Sequence, residues 1–261
     1  MTKLIANKVT YEVNGTSVIK NVTASLQPGE LVVILGPNGA GKTSLLRVLM
    51  GLTKINSGTV ELNDISCHEM LPEKRALLIS YLPQSRPLIW PNRVIDIVSL
   101  GRFAYGANLS HLGPKDAAAV EDALSTCNLE KLAKRNALTL SGGELARVHF
   151  ARALASKTPL LLADEPIAKL DPLHQIQVAD LLRQYVDQGG GAMIVLHELS
   201  IAARIADRLI WMKNGEIFTE GRPEETLTSE MMKEIYEVDA HITEDSHGID
   251  IRFKGTSKKI S

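Results

Sequence analysis

Apolar and polar positions change their spacing several times along the chain. Near the N-terminus, two strand-like segments flank Asn14-Gly15, a dipeptide typical of a two-residue hairpin turn. The apolar run at 30–36 has the length of a strand and no polar face, which predicts a central parallel strand covered on both sides. Residues 42–51 then show helical spacing. A strand therefore passes into a helix through a short glycine-rich loop.

The middle of the chain, from about 92 to 156, shows helical spacing with little strand character, and strand–helix alternation returns after it. Helices are predicted in this middle part at 94–102, 113–129 and 141–156. Elsewhere the pattern predicts strands at 57–64, 76–84, 159–166 and 192–197, helices at 172–190 and 198–207, and a hairpin at 208–221. Beyond about 240 the chain is polar and weakly patterned, so we expect no regular structure there.

This order of elements predicts an α/β fold with a mostly parallel sheet and helices on both of its faces. An antiparallel β sub-domain precedes this core, and a helical sub-domain interrupts it. The predicted catalytic core, with the antiparallel part, covers 1–91 and 157–240, the helical insert covers 92–156, and 241–261 forms a tail.

Composition and charge exclude several classes of protein. The 29 basic and 30 acidic residues give a formal net charge of −1, which does not favour a nucleic-acid partner. Cys67 and Cys127 lack metal-site spacing and are expected to be reduced thiols in the cytosol. The N-terminus lacks the apolar segment of a signal peptide, and no run has the roughly 20 apolar residues that cross a bilayer.

The glycine-rich loop carries the clearest chemical signal. It fits the pattern G-x-x-x-x-G-K-[ST], because its glycines let backbone N–H groups turn towards a bound phosphate at the start of a helix. Lys42 is expected to reach the β- and γ-phosphates of a nucleotide, and the Thr43 hydroxyl to ligate Mg²⁺. The predicted phosphate-binding residues are Gly36, Pro37, Asn38, Gly39, Ala40, Gly41, Lys42, Thr43 and Ser44.

A second signal lies at the end of the buried strand "LLLAD". Asp164 is placed to hold the Mg²⁺ through water, and Glu165 to polarise the attacking water. Taken alone, "DEP" could simply end a strand. With a phosphate loop upstream, we favour the functional interpretation.

A third signal is the segment "LSGGE" before the helix at 141–156. Ser141, Gly142 and Gly143 offer a hydroxyl and bare N–H groups at a helix N-terminus, which suits a phosphate. Ser141 can equally be an ordinary helix cap, and the two roles are compatible. One chain is unlikely to bring this loop and the phosphate loop to the same γ-phosphate, so a second copy could supply it.

These motifs, taken in order, resemble the ATP-binding-cassette (ABC) ATPases over about residues 4–240. The resemblance rests on "GPNGAGKT", Gln84 in "YLPQ", "LSGGE", "LLLADEP" with "KLDP", and His197. It implies a P-loop NTPase (RecA-like) core and a head-to-tail homodimer that holds two ATP molecules between phosphate loops and "LSGGE" segments. It also implies that Glu165 is the catalytic base, Gln84 contacts Mg²⁺ or the attacking water, His197 contacts the γ-phosphate, and Asp171 links the two sites.

Looser similarities point to the ATPases of importers for iron-siderophores, haem and cobalamin. That resemblance implies transmembrane permease subunits, an external solute-binding protein and a peripheral position at the cytoplasmic face of the cell membrane. Ile89 and Trp90, within 85–94, lie where the family receives a helix of the permease.

Several positions depart from the family pattern. Ile167 and Lys169 stand in a normally small, polar run. Leu145 and Ala146 stand where glutamines are common, and Glu198 stands where the family often has an aspartate. The family's adenine-stacking aromatic falls near Val13, so stacking by the nearby Tyr11 is a weaker hypothesis.

Two alternatives stay open at this stage. One is a soluble ABC ATPase that acts on ribosomes or DNA, although such proteins usually carry two cassettes or long coiled coils. The other is a regulatory module that binds ATP without hydrolysing it, which the unusual run around Lys169 favours and the intact Lys42, Asp164, Glu165 and His197 disfavour.

Overall fold

The computed structural model of the chain describes residues 2–84, 90–245 and 248–256, and within these ranges the strands form three sheets. The strands are β1 (Leu4–Val13), β2 (Thr16–Leu26), β3 (Leu31–Leu35), β4 (Ser57–Leu62), β5 (Ile65–Ser66), β6 (Ile79–Leu82), β7 (Leu160–Asp164), β8 (Gly191–Val195), β9 (Arg208–Lys213), β10 (Glu216–Gly221), β11 (Val238–Asp245) and β12 (Gly248–Thr256). The helices are α1 (Lys42–Leu49), α2 (Pro72–Ala76), α3 (Val94–Ser99), α4 (Pro114–Thr126), α5 (Gly142–Ala155), α6 (Pro172–Asp187), α7 (Leu199–Ile205), α8 (Pro223–Thr226) and α9 (Ser229–Tyr236).

The largest sheet of the described chain has the strand order β10-β9-β3-β8-β7-β6. Neighbouring strands from β9 to β6 run parallel, and β10 pairs antiparallel with β9 at one edge. Every residue of β3, β7 and β8 is buried. Burial on both faces explains why these strands appear in the sequence as unbroken apolar runs rather than alternating ones, and it confirms the predicted parallel core.

The antiparallel sub-domain is also confirmed. Its strands have the order β2-β1-β4-β5, and Asn14 and Gly15 connect β1 to β2. Both turn residues have positive φ, at 50° and 77°, as a tight hairpin turn of this type requires. One face of this sheet packs on α1 and on the central sheet through buried residues such as Leu4, Ile19 and Leu46.

Helices α3, α4 and α5 form the predicted helical insert. Val98, Val120 and Phe150 of these helices belong to the same buried cluster as residues of β3 and β8. The helix predicted at 94–102 ends at Ser99, and its continuation over Leu100–Tyr105 is a tighter 3₁₀ helix. The insert therefore shares a core with the sheet.

Two expectations about local structure need correction. The strand expected at 76–84 covers only Ile79–Leu82, because Pro72 starts the short helix α2 just before it. The tail expected to lack structure forms the antiparallel hairpin β11–β12. Ile242, Ile249 and Ile251 pack against the large core cluster, so a few apolar contacts order a mostly polar segment. The boundary predicted at 240 falls inside β11, and the other domain boundaries remain predictions.

The parallel strands bring the sequence motifs together. The loop Gly36–Gly41 follows β3, Gln84 follows β6, Glu165 follows β7, and His197 follows β8. Because parallel strands end at the same edge of the sheet, four distant segments of the sequence meet there. None of the helices in the described ranges has the length and apolar character that crossing a bilayer requires.

Candidate functional site

The phosphate loop is shaped by close backbone contacts. A Cβ on Gly36 would lie 2.2 Å from the carbonyl oxygen of Met212, and Gly36 has a φ of 144°, so only glycine fits there. Gly41 precedes α1 with a φ of 98°. The Lys42 ammonium donates hydrogen bonds to the carbonyl oxygens of Gly36 (2.7 Å) and Pro37 (2.9 Å). Burial lowers the pKa of Lys42, while Glu165 and Asp164 oppose this shift. The lysine is thus held inside the loop that was predicted to bind phosphate.

A residue 200 positions away also holds this loop. The N–H of Gly36 donates to the hydroxyl oxygen of Tyr236 on α9 at 3.0 Å. Burial raises the pKa of Tyr236 to about 12, and its ring contacts Trp211 edge to face with centroids 6.2 Å apart. Sequence reasoning missed Tyr236, because no local pattern links a C-terminal helix to the phosphate loop.

Thr43 and Asp164, two of the residues predicted to hold Mg²⁺, lie in contact with each other. The Thr43 hydroxyl donates to Asp164 Oδ1 at 3.1 Å. Asp164 is almost fully buried, and burial raises its pKa although the Thr43 hydrogen bond opposes that shift. Mg²⁺ in nucleotide sites is held by one or two protein oxygens together with water and phosphate oxygens. A hydroxyl and a carboxylate at the mouth of a phosphate loop fit that requirement.

Glu165 is the point where three segments converge. Its Oε2 accepts a hydrogen bond from Gln84 Nε2 at 2.7 Å, and its Oε1 lies 2.9 Å from His197 Nε2. Burial raises the pKa of Glu165, but the hydrogen bonds from His197 and Gln84 outweigh it, so the pKa is lowered. Glu165 also has a left-handed backbone with φ 47°. A non-glycine residue there costs on the order of 1–3 kcal/mol, and such strain clusters at functional sites.

A pocket extends from the phosphate loop to Glu165. It is lined by Val18, Asn38, Gly39, Ala40, Gly41, Lys42, Thr43, Ser44 and Glu165. Tyr11 is not one of these lining residues: it pairs with Ile19 and packs against the core cluster. The stacking hypothesis for Tyr11 therefore gains no support, and Val18 is an apolar residue from outside the loop that lines this pocket.

The segment predicted to bind a second phosphate begins α5. Ser141 Oγ accepts from the N–H of Glu144 at 3.2 Å, and the Glu144 carboxylate accepts from the N–H of Ser141 at 2.8 Å. Both predicted roles of Ser141 are compatible with this capping box. Ser141 and Gly142 are exposed, and within the described chain Ser141–Gly143 do not line the pocket over the phosphate loop.

The segment after Glu165 carries the departures noted in the sequence. Ile167 is buried, whereas Lys169 is exposed and has a left-handed backbone with φ 64°. Asp171 caps α6 by accepting from the N–H of His174 at 3.0 Å, and its carboxylate also contacts the ring of that residue. These hydrogen bonds lower the pKa of Asp171.

The predicted partner surface is only partly described. Residues 85–89, including Ile89, lie outside the described ranges. Trp90 is 69% exposed. Close to it in sequence, Leu100 is 45% and Phe103 73% exposed, and these two residues line a groove together with Ser80 and Arg152. Large apolar side chains therefore face solvent beside the helical insert.

Comparison with known proteins assigns these features to a family. A family model described as ABC transporter matches residues 19–168. The hemin import ATP-binding protein HmuV of Pseudoalteromonas translucida is 38% identical over 253 residues, covering 92% of this chain and 94% of that protein. The HmuV protein of Thermobifida fusca is 37% identical, covering 87% and 79%.

Solved structures agree with the fold. An inward-facing ABC transporter of the metal-chelate type has a chain that superposes with a TM-score of 0.84 over the full length of both chains, at 24% identity. A dimeric bacterial ABC transporter cassette superposes with a TM-score of 0.72 at 28% identity, covering 85% of this chain and 99% of the other. The first of these likenesses concerns the fold alone.

Proposed function

This chain belongs to the ABC transporter family, as an ATP-binding subunit that hydrolyses ATP to power an importer, and on that premise we propose that it drives the import of haem. The observation that carries the proposed mechanism is the convergence of Gln84 and His197 on the carboxylate of Glu165, beside the phosphate loop. A carboxylate held from both sides at this place suits activation of water next to a terminal phosphate.

In the proposed mechanism, the chain binds the nucleotide through the first turn of α1. Backbone N–H groups of the loop receive the phosphate oxygens, and Lys42 moves its hydrogen bonds from the loop carbonyls to the β- and γ-phosphates. Thr43 and Asp164 would hold Mg²⁺, which would supply positive charge against the negative charge that develops on the phosphates. In the same proposal, Gln84 is a further candidate contact of the Mg²⁺ ion.

Glu165 then acts as the general base. Its lowered pKa keeps the carboxylate ionised near neutral pH, so it can accept a proton from the attacking water. Gln84 and His197 contact that carboxylate from two sides and so orient it. In the same proposal Gln84 contacts the attacking water and His197 contacts the γ-phosphate. We expect the rate of ATP hydrolysis to fall as the pH drops through the lowered pKa of Glu165, because the protonated carboxyl group cannot accept a proton.

The other half of each site comes from a second copy in this proposal. Ser141 and Gly142 are exposed, Gly143 beside them is buried, and none of the three lines the described pocket over the phosphate loop of its own chain. A head-to-tail homodimer would set them against the partner's γ-phosphate, with Asp171 near the junction. A dimeric structure among the solved relatives supports this arrangement.

Haem is the cargo that the relatives favour. Their names specify hemin import, which narrows the sequence-based choice among iron-siderophores, haem and cobalamin. An importer of this kind needs transmembrane permease subunits and an external solute-binding protein, and it places this chain at the cytoplasmic face of the cell membrane. The relatives also favour an importer subunit over an ATPase that acts on ribosomes or DNA.

We place the permease contact at the apolar groove beside the helical insert. Leu100 and Phe103 line this groove together with the polar side chains of Ser80 and Arg152, as the contact surface for a partner helix requires. Trp90 precedes these residues in the sequence and is itself largely exposed, so we include it in the proposed contact. Trp90→Ala should reduce haem transport more than it reduces basal ATP hydrolysis. Equal loss of both activities would indicate a folding defect and would remove Trp90 from the contact.

The central test uses the chain assembled with its permease in vesicles. Glu165→Gln should lower ATP hydrolysis by about 10²–10⁴-fold, the usual contribution of a general base, and abolish haem uptake while nucleotide binding persists. Glu216→Gln, which changes an exposed carboxylate on β10, is the matched control. A Glu165→Gln variant that hydrolyses ATP normally would refute the mechanism, and ATP-driven uptake of a different solute but not haem would refute only the cargo.

A further inference from the structure

His174, one turn into α6, lies against the loop that begins α5. A Cβ added to Gly143 would lie 1.9 Å from Cδ2 of the His174 ring, and its three nearest neighbours would all be atoms of that ring. The ring therefore fills the space that a side chain at position 143 would need. Gly143 is buried, whereas Ser141 and Gly142 beside it are exposed.

The same ring is fixed from its other side by Asp171. His174 Nδ1 lies 2.9 Å from Oδ1 and 2.7 Å from Oδ2 of that carboxylate. An ionised carboxylate only accepts hydrogen bonds, so Nδ1 carries the proton and donates it. The backbone N–H of His174 donates to the same carboxylate at 3.0 Å. Two hydrogen bonds thus join Asp171 to His174 before the ring reaches Gly143.

We propose that His174 is a positioning residue that fixes the Ser141–Gly143 loop relative to Asp171, so that both can meet the second copy of the chain together. This inference rests on the proposed dimer. Its physical basis is packing: an aromatic ring in direct contact with a backbone that has no side chain leaves the loop little freedom to shift. The first turn of α6 and the first turn of α5 therefore move as one unit.

Variants of His174 can distinguish a positioning role of its ring from an effect on the stability of α6. Replacement of His174 keeps its backbone N–H, so the cap that Asp171 provides for α6 survives in every variant except proline. His174→Asn keeps a side-chain donor near the position of Nδ1 but removes the ring from Gly143. His174→Ala removes both. The two variants therefore distinguish the hydrogen bond to Asp171 from the packing on Gly143.

The experiment measures ATP-dependent dimerisation of the purified chain in the Glu165→Gln background, where hydrolysis does not consume the nucleotide. His174→Ala should weaken the dimer by about tenfold, within the range found for residues that act in contact. His174→Asn should weaken it nearly as much. ATP affinity of the single chain should stay unchanged, because the phosphate loop lies elsewhere. His111→Ala, an exposed histidine in the helical insert, is the control.

A double-mutant cycle tests the contact itself. Gly143→Ala should weaken the dimer strongly in the presence of the His174 ring, and it should add little in the His174→Ala background, because the clashing ring is gone. Additive effects would overturn the inference, since they would mean that Gly143 is needed only for its approach to the nucleotide.

The results also separate this inference from the proposed function. If the chain with only Glu165→Gln forms no ATP-dependent dimer, the proposed dimer mechanism fails. If that protein and its His111→Ala form dimerise but His174→Ala dimerises equally well, only the role of His174 is refuted.

Discussion

Helix α1 begins directly after Gly41, and helix α5 begins with Gly142 and Gly143 after Ser141, yet the N–H groups of the two first turns have different partners. In the described residues, no side chain caps α1, whose N-cap is Gly41. By contrast, α5 has a complete capping box between Ser141 and Glu144. Uncapped N–H groups at a helix start need a partner. The first turn of α1 is therefore open to a phosphate, whereas in α5 the side chains of Ser141 and Glu144 already bind the backbone N–H groups of Glu144 and Ser141.

The surroundings of the two helices differ in the same way. Around α1 the chain supplies a lysine, a hydroxyl and two carboxylates, so the chemistry is gathered within one molecule. Around Ser141 and Gly142 at the start of α5 the surface is exposed. The capping box lets α5 remain folded while it faces solvent. In the proposed function, the start of α1 binds the nucleotide of its own chain, and the start of α5 is the surface that meets the nucleotide of a second copy.

Substitution of Lys42 should have the largest effect on ATP affinity, and it tests the contrast between α1 and α5. Lys42→Ala removes the only cation among the residues that line the described pocket, so ATP affinity should fall by about 10–100-fold, as expected for charge-assisted hydrogen bonds. Isothermal titration of the purified chain measures it. Lys254→Ala, an exposed lysine on β12, should bind normally. Normal affinity in Lys42→Ala would contradict the view that α1 carries the phosphate site.

Asp164→Asn should abolish hydrolysis and yet stabilise the chain. Burial raises the folded-state pKa of Asp164, so its ionised form weakens the fold at pH values above that pKa. The neutral amide keeps the acceptor for Thr43 and should raise the free energy of unfolding by about 1 kcal/mol at neutral pH. The advantage should shrink as the pH falls through the raised pKa, because wild-type Asp164 then becomes neutral as well. Urea unfolding at several pH values measures it; a constant advantage would be contrary to this cause.

The contrast between α1 and α5 was visible in the sequence in part. The loop at 36–44 and the buried strands are encoded locally, because glycine spacing and apolar runs act over a few residues. The role of Glu165 follows from its position at the end of a buried strand, whereas Gln84 and His197 are assigned from the family resemblance. The parallel sheet explains why the three residues meet. Tyr236 could not be found from sequence, since its contact with Gly36 depends on the packing of the C-terminal helices.

The C-terminal segment shows the same limit. Its few apolar residues alternate with charged ones, and no local signal states which surface they will cover. Ile242 and Ile251 are ordered because they pack against the core cluster, where β11 contacts α9 and β12 contacts α7. His174 is similar: its role is set by a contact with Gly143 that crosses from one helix to another. The pattern of the sequence therefore does not determine the tertiary contacts between distant segments.

Ser141→Ala should have an intermediate effect on ATP hydrolysis, and it tests the role of the start of α5 in the contrast with α1. It removes the hydroxyl that accepts from the Glu144 N–H, which costs about 1 kcal/mol of stability. ATP hydrolysis should fall by about tenfold, whereas ATP affinity of the single chain should be unchanged. Thr228→Ala, which removes a similar cap from α9, serves as control for stability alone. If both variants lose hydrolysis equally, Ser141 is only a helix cap.

Tyr236→Phe should have the smallest effect, because it changes one hydrogen bond at the entrance to α1. The N–H of Gly36 would lose its acceptor, at a cost of about 1 kcal/mol, while the ring and its contact with Trp211 remain. The Gly36 carbonyl that holds Lys42 belongs to the same loop, so ATP affinity should fall by about fivefold, the equivalent of that energy. Trp90→Phe leaves Trp211 as the single tryptophan, whose emission then reports on this region during ATP titration. If ATP affinity is unchanged and stability is lowered, Tyr236 supports the fold without positioning the loop. The nucleotide site would then include Gly36 but not Tyr236.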